Sequence, residues 1–222
     1  MPLAGGLRPH PRAIIFDLDR CLIDSRRAWR YCIEESLAAA SNRRVSAAAL
    51  ADEYHTRPWR DALSILAESR DEIERCCALC EAMFERSAMK QLLVHEGVGM
   101  ALDALRAESI EIGAISRRPH PSALKQVQST GLDRFVAVLS ATPAGERWDP
   151  AARIGACLRF LEAPAASSAF VSGDLRDRRE AGGLGLTPFT AGWAPGAEDA
   201  IGAVAAPMDL VPVVMRAWAA RP

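Results

Sequence analysis

Lysine is almost missing from this chain: of 27 basic residues only Lys90 and Lys125 are lysines, and the rest are arginines. The bias can come from coding composition, so arginine number alone assigns no role. Excess charge is missing as well. A formal net charge of −1 over 222 residues argues against a protein whose main partner is nucleic acid or an anionic membrane surface. No apolar run approaches the length of a membrane span, and the opening residues MPLAGGLRPHP lack the apolar segment of a secretory signal. The expectation is a soluble, cytoplasmic protein with no nucleic-acid or membrane partner, present as a monomer or homodimer.

Paired metal-ligand spacing is also absent. Cys21, Cys32, Cys76, Cys77, Cys80 and Cys157 include no C-x-x-C with a second ligand group, which argues against a structural zinc site. Cys76, Cys77 and Cys80 read as small apolar residues of a helix, with free thiols. Cys21 and Arg27 match the bare C-x5-R spacing of cysteine-dependent phosphatases, but the intervening LIDSR has no glycine to let backbone N–H groups wrap an anion. No G-x-S-x-G elbow or Walker-type loop occurs, and His10, His95 and His120 are isolated, so a serine hydrolase and a nucleotide-binding ATPase are set aside.

What is present is concentrated at residues 13–25, AIIFDLDRCLIDS. Four apolar residues read as a buried parallel strand, and its carboxyl end is the usual ligand edge of an α/β sheet. Asp17 and Asp19 sit at that end. Two carboxylates so close repel unless a cation or proton lies between them, and magnesium with its oxygen ligands would relieve the repulsion and attract phosphate. The plain alternative is a carboxylate that caps a turn.

Half the residues are hydrophobic, enough to bury one full core or a core with a smaller module. Residues 25–87 are helical in character, divided by Pro58. Strands then return at 110–115, 135–139, 169–171 and 188–191, with helices at 99–107, 122–130 and 151–161. This alternation predicts an α/β fold: a Rossmann-like parallel sheet covered by helices, with a helical domain inserted after the first strand. The expected boundaries are a discontinuous core at 1–24 and 97–222 and a helical cap at 25–96.

Each returning strand ends in a residue suited to phosphate. Ser116 can donate from its hydroxyl, and Arg117, Arg118, Pro119 and Pro121 follow before a helix that Ser122 can cap. The fourth strand ends in Ser172-Gly173-Asp174 with Asp177 three residues on, so both carboxylates share a helix face and can meet one cation. A helix N-terminus also favours acids through its dipole alone. Arg147 lies between these sites in ERWDP, a permanent charge that can neutralise a carboxylate and a phosphoryl group together.

In this order the motifs resemble the haloacid dehalogenase-like hydrolase superfamily, from residue 13 to about 218. The segments His95-Glu96-Gly97-Val98 and Gly131-Leu132-Asp133-Arg134-Phe135 are similar to the family's return from cap to core and its approach to the third strand. The resemblance implies a magnesium-dependent phosphatase acting on a small phosphorylated metabolite. By the same resemblance Asp17 is the nucleophile that forms an aspartyl-phosphate, Asp19 the general acid and base, and Ser116 and Arg147 the holders of phosphoryl oxygens. Magnesium would be bound by Asp17, the Asp19 main-chain carbonyl and Asp174, with Asp177 beside it. Asp19 favours phosphate esters over alkyl halides, which need no leaving-group acid. A phosphomutase fits the motifs equally, and a binding protein that retains the fold is the non-enzymatic alternative. Three departures stand out: Cys21 replaces the usual Thr or Val, Arg147 the commoner lysine, and the last acids are three rather than four apart, with Arg178 in the usual place. Substrate contacts are expected from Arg26 and Arg117 beside the motifs, with Arg27 and Arg30 near. Within the insert they are expected from a cluster of Tyr54, His55, Arg57, Trp59 and Arg60.

Overall fold

The computed structural model describes residues 11–47, 59–197 and 200–220. In chain order its elements begin with β1 (Arg12–Asp17), β2 (Ile23–Asp24), α1 (Arg26–Ser41), α2 (Trp59–Leu63), α3 (Arg70–Arg86) and β3 (Leu93–Val94). They continue with α4 (Val98–Ala107), β4 (Ile110–Pro119), α5 (His120–Ser129), β5 (Val138–Thr142) and α6 (Pro150–Phe160). The chain closes with β6 (Ser168–Ser172), α7 (Leu175–Gly183), β7 (Thr187–Thr190) and α8 (Leu210–Ala219).

The apolar run of β1 forms the centre of a five-stranded parallel sheet in the order β5-β4-β1-β6-β7. Its pleat sends alternate side chains into two layers. Ile14 and Phe16 pack with Leu102 and Leu105 of α4, Val127 of α5 and Val214 of α8. Ile15 meets Ile154 and Cys157 of α6 and Ala181 of α7 on the opposite face. All of these β1 side chains are buried, each worth about 1.5–3 kcal/mol relative to exposure. The α/β, Rossmann-like arrangement expected from the alternation of elements is therefore the observed fold.

Between β1 and β4 the chain forms a helical insert in which α1 packs on α3 and α2 on α3. Its interior holds Trp29, Cys32, Ile33, Leu37, Trp59, Cys76, Cys80 and Phe84, with the Trp29 and Trp59 rings 3.7 Å apart. The cysteines are free, as expected. The chain leaves and rejoins the core through β2 and β3, an antiparallel pair with Asp24 opposite Leu93. Gly97 then starts α4 with φ of 80°, a conformation that costs glycine little.

Three boundaries differ from the sequence expectation. β4 continues past Ser116 to Pro119, with a register shift between those residues. β5 runs over Val138–Thr142 rather than 135–139, because Phe135 closes a short 3-10 turn and is buried there. Finally, α5 begins at His120 with Pro121 in its first turn, which leaves Ser122 inside the helix instead of at its cap. Pro58 lies outside the described residues.

Candidate active site

The parallel sheet sets the carboxyl ends of β1, β4 and β6 side by side, and the polar residues closing those strands converge there. Asp17 ends β1 and is buried. Its Oδ2 accepts a hydrogen bond from the Ser172 hydroxyl at 3.2 Å, and the same hydroxyl oxygen accepts from the Asp174 N–H at 3.0 Å. Burial, then the charge of Asp19, push the Asp17 carboxyl up to about 7, against the pull of Arg20 and Arg117.

After Asp17 the chain makes a single π-helical turn, Leu18–Leu22, a form often found at functional sites. The turn brings Asp19 back over β4, where its Oδ2 accepts from the Ser116 hydroxyl at 2.8 Å and the Arg117 N–H at 3.1 Å. Its other oxygen is buried without a partner. Ser116 is fully buried and its hydroxyl oxygen accepts from the Arg118 N–H.

Across the site, Asp174 caps α7 by accepting from the N–H groups of Arg176 and Asp177. Gly173 permits this turn, since a Cβ there would lie 2.9 Å from that of Ala194. The second Asp174 oxygen takes a hydrogen bond from Arg117 at 3.1 Å and an ion pair from Arg20 at 3.5 Å. Burial raises the Asp174 pKa, but Arg20, the Asp177 N–H and Arg117 outweigh it and hold the carboxyl below its ordinary range. Asp177, three residues on, is fully buried and accepts from Arg117 at 2.7 Å and from the Trp148 indole N–H at 3.1 Å. Burial nevertheless raises its pKa. The Arg117 guanidinium lies over the Trp148 ring, 4.7 Å from its centroid.

The structure thus brings together Asp17, Asp19, Ser116, Arg117, Asp174 and Asp177. Arg147 lies instead on the exposed stretch before α6, and the guanidinium that meets Asp174 and Asp177 is that of Arg117. Arg26 is folded onto its neighbour Asp24, donating at 2.9 and 2.6 Å. Arg60 pairs with Glu74 at 2.7 Å on the exposed face of the insert, and Trp59 is buried in the aromatic cluster. Tyr54, His55 and Arg57 lie outside the described residues. Cys21 is fully buried and its thiol is pushed well above its ordinary pKa by that burial, the reverse of what a cysteine nucleophile needs.

Three participants were not visible as such in the sequence: Arg20, Trp148 and Arg118. The signal for Arg20 was a charge set between Asp19 and the apolar Cys21-Leu22. Arg118 leaves the sheet edge and lies over Phe84 of the insert at 3.6 Å, with Trp29 at 5.5 Å, a cation–π contact joining core to insert.

The donors at this edge suit a hard cation. Among the described residues no three His, Cys, Asp or Glu side chains are gathered into a metal cage; Asp17 and Asp174, linked through the Ser172 hydroxyl, present oxygen donors of the kind magnesium takes. Burial and the neighbouring Asp19 charge raise the Asp17 carboxyl, so a cation beside it would favour its charged form.

Among the described residues no helix is long and apolar enough to cross a membrane. No curated protein matches the chain in sequence. Solved structures do match over nearly the whole length. A haloacid dehalogenase-like family hydrolase from Streptococcus pneumoniae aligns with a TM-score of 0.76 at 14% identity, covering 91% of this chain and 98% of that one. A proposed phosphoglycolate phosphatase from Lactobacillus plantarum aligns at 0.71 and 19% identity over 92% and 100%. A proposed beta-phosphoglucomutase from Thermotoga maritima aligns at 0.73 and 18% over 92% and 99%. At such identities these likenesses speak for the fold. The family model for haloacid dehalogenase-like hydrolases matches residues 14–185, most of the chain, and the protein belongs to that family.

Proposed function

We propose that this hydrolase is a magnesium-dependent phosphatase that cleaves a small phosphorylated metabolite through an aspartyl-phosphate. The observation that carries the reading is that Asp17, a buried carboxylate at the sheet edge, shares the Ser172 hydroxyl with the Asp174 N–H, while Arg117 joins Asp174 to Asp19 beside it. Asp17 attacks phosphorus as the bond to the leaving oxygen breaks, and Asp19 supplies that oxygen with a proton. Asp19 then removes a proton from water as water attacks phosphorus, and Asp17 is released with inorganic phosphate. The Ser116 hydroxyl, the Arg117 N–H and the Arg117 guanidinium hold phosphoryl oxygens. In the described geometry the Asp19 carboxylate takes two of these donors, so an arriving phosphoryl group replaces it there and frees it for proton transfer. A carboxylate attacks a phosphate dianion only where cations offset both charges. Magnesium held by Asp17, the Asp19 carbonyl and Asp174 would supply that charge.

In this reading residues 1–24 and 97–222 form the catalytic core and 25–96 the cap. The contact of Arg118 with Phe84 and Trp29 supports a cap seated beside the site, where it excludes water and meets the leaving group. Hydrolysis of p-nitrophenyl phosphate with magnesium, and release of inorganic phosphate from a panel of phosphorylated sugars, nucleotides and small acids, tests the proposal. Turnover that survives Asp17→Asn overturns the mechanism. Silence across the panel favours a binding protein, and transfer of phosphate between sugar positions without its release favours a mutase.

A further inference from the structure

Arg20 is an unusual residue to find next to a cation site. Its side chain is 9% exposed, its Nε is buried without a partner, and its Nη1 lies 3.5 Å from Asp174 Oδ2. The same oxygen accepts from Arg117. The two guanidiniums are held differently. Arg117 is fixed by the 2.7 Å bond to Asp177 and by the Trp148 ring beneath it. Arg20 has a long ion pair and an unsatisfied N–H, although withdrawing a guanidinium from water costs several kcal/mol unless it is well paired, by the general order of such penalties. An incompletely bonded, buried cation is the one an incoming cation can displace.

We propose that Arg20 is a resident counter-ion of Asp174 that competes with the divalent cation and holds this chain's metal affinity low. The inference rests on the reading of Asp17 and Asp174 as the magnesium ligands. Metal and guanidinium require the same Asp174 oxygen, and their like charges repel at that distance. Binding of the metal therefore includes the cost of breaking the Arg20 pair and moving its charge. Removal of that charge tightens metal binding, whereas a change of shape that keeps the charge leaves it nearly as it was.

The test uses the full chain stripped with EDTA, Mn2+ titrations followed by the electron paramagnetic resonance of free Mn2+, and calorimetry with Mg2+. Arg20→Met is expected to tighten both metals by about tenfold or more, and Arg20→Lys to stay within about threefold of the original chain. Arg20→Gln gives a second uncharged variant if Arg20→Met does not fold, as judged by circular dichroism. An uncharged, folded variant whose metal affinity is unchanged or weaker overturns the proposal, as does an absence of binding in both the original chain and that variant. Asp174→Asn separates the two levels. Metal binding that persists undiminished in Asp174→Asn overturns the site assignment itself, whereas binding lost in Asp174→Asn with no gain in Arg20→Met overturns only the role of Arg20.

Discussion

Two buried acids, one in the sheet and one in the insert, have opposite surroundings. Glu72 in α3 accepts from the Ser41 hydroxyl, from Arg43 at 2.7 Å and from the Glu68 N–H at 2.6 Å. These bonds hold its carboxyl down to about 2. Asp17 takes, among the described residues, one side-chain hydrogen bond, from Ser172, and burial followed by the charge of Asp19 raises its carboxyl to about 7. A carboxylate whose lone pairs are occupied by fixed donors ties elements together and has little capacity left for chemistry. One left short of donors costs stability and holds its proton more tightly, with lone pairs still free for a ligand. Glu72 is an acid tied to fixed donors, and Asp17 one left open to a ligand.

Exchange of the two acids tests this directly, and the largest effect belongs to Asp17. Asp17→Asn is expected to lower turnover by at least about a thousandfold, while the melting temperature stays level or rises because a poorly compensated buried charge has gone. A large fall in melting temperature would place Asp17 in the same class as Glu72. Next in size, Arg117→Ala is expected to reduce kcat/KM by about 100- to 1,000-fold, and Arg147→Ala, at an exposed position, by no more than about twofold. Equal losses would mean that the chain's order of motifs, not the observed packing, identifies the phosphoryl-holding cation.

For the insert, Glu72→Ala is expected to cost about 1.5–3 kcal/mol in urea unfolding, the range for hydrogen bonds to a charged group, with kcat retained by the folded fraction. The pH profile sharpens this further. Because folding lowers the Glu72 pKa from 4.5 to about 2, the unfolded chain binds that proton more readily. Its contribution is complete above about pH 4.5 and disappears as pH falls toward 2. Glu72→Gln should flatten the decline of melting temperature across that window, and an unchanged slope would remove Glu72 as its cause. The smallest effect is at Ser69, whose side chain caps α3 by accepting from the Glu72 N–H; Ser69→Ala should cost about 1 kcal/mol.

Much of this was legible in the chain. β1, α4 and α6 lie within a residue or two of their expected positions, because apolar periodicity and flanking turns mark them together. β5 was displaced because its buried end is Ser140-Ala141-Thr142, which reads as a polar loop, while the more apolar Phe135 packs from a turn. The pair β2 and β3 is two residues long on each side, too short for any period to show. In the site, Asp17, Asp19, Ser116, Asp174 and Asp177 were visible as polar residues at strand ends, since the parallel fold collects those ends at one edge. The approach of Arg117 to Asp174 and Asp177 was not visible. It depends on Trp148 turning inward to bond Asp177 and lie beneath Arg117, a matter of side-chain packing between distant segments that local spacing does not encode.

The β2–β3 pair has a consequence for how the molecule can vary. Because the chain departs at Asp24 and returns opposite it at Leu93, the sheet experiences the whole insert as one long turn. The register of β1 against β4, from Arg12 opposite Ile110 to Asp17 opposite Ile115, is fixed by residues on the core side of that closure. Changes beyond the pair alter what is presented to the strand ends while the strand ends keep their places. The insert and the strand-end cluster can thus vary independently within one polypeptide, joined by a pairing two residues wide.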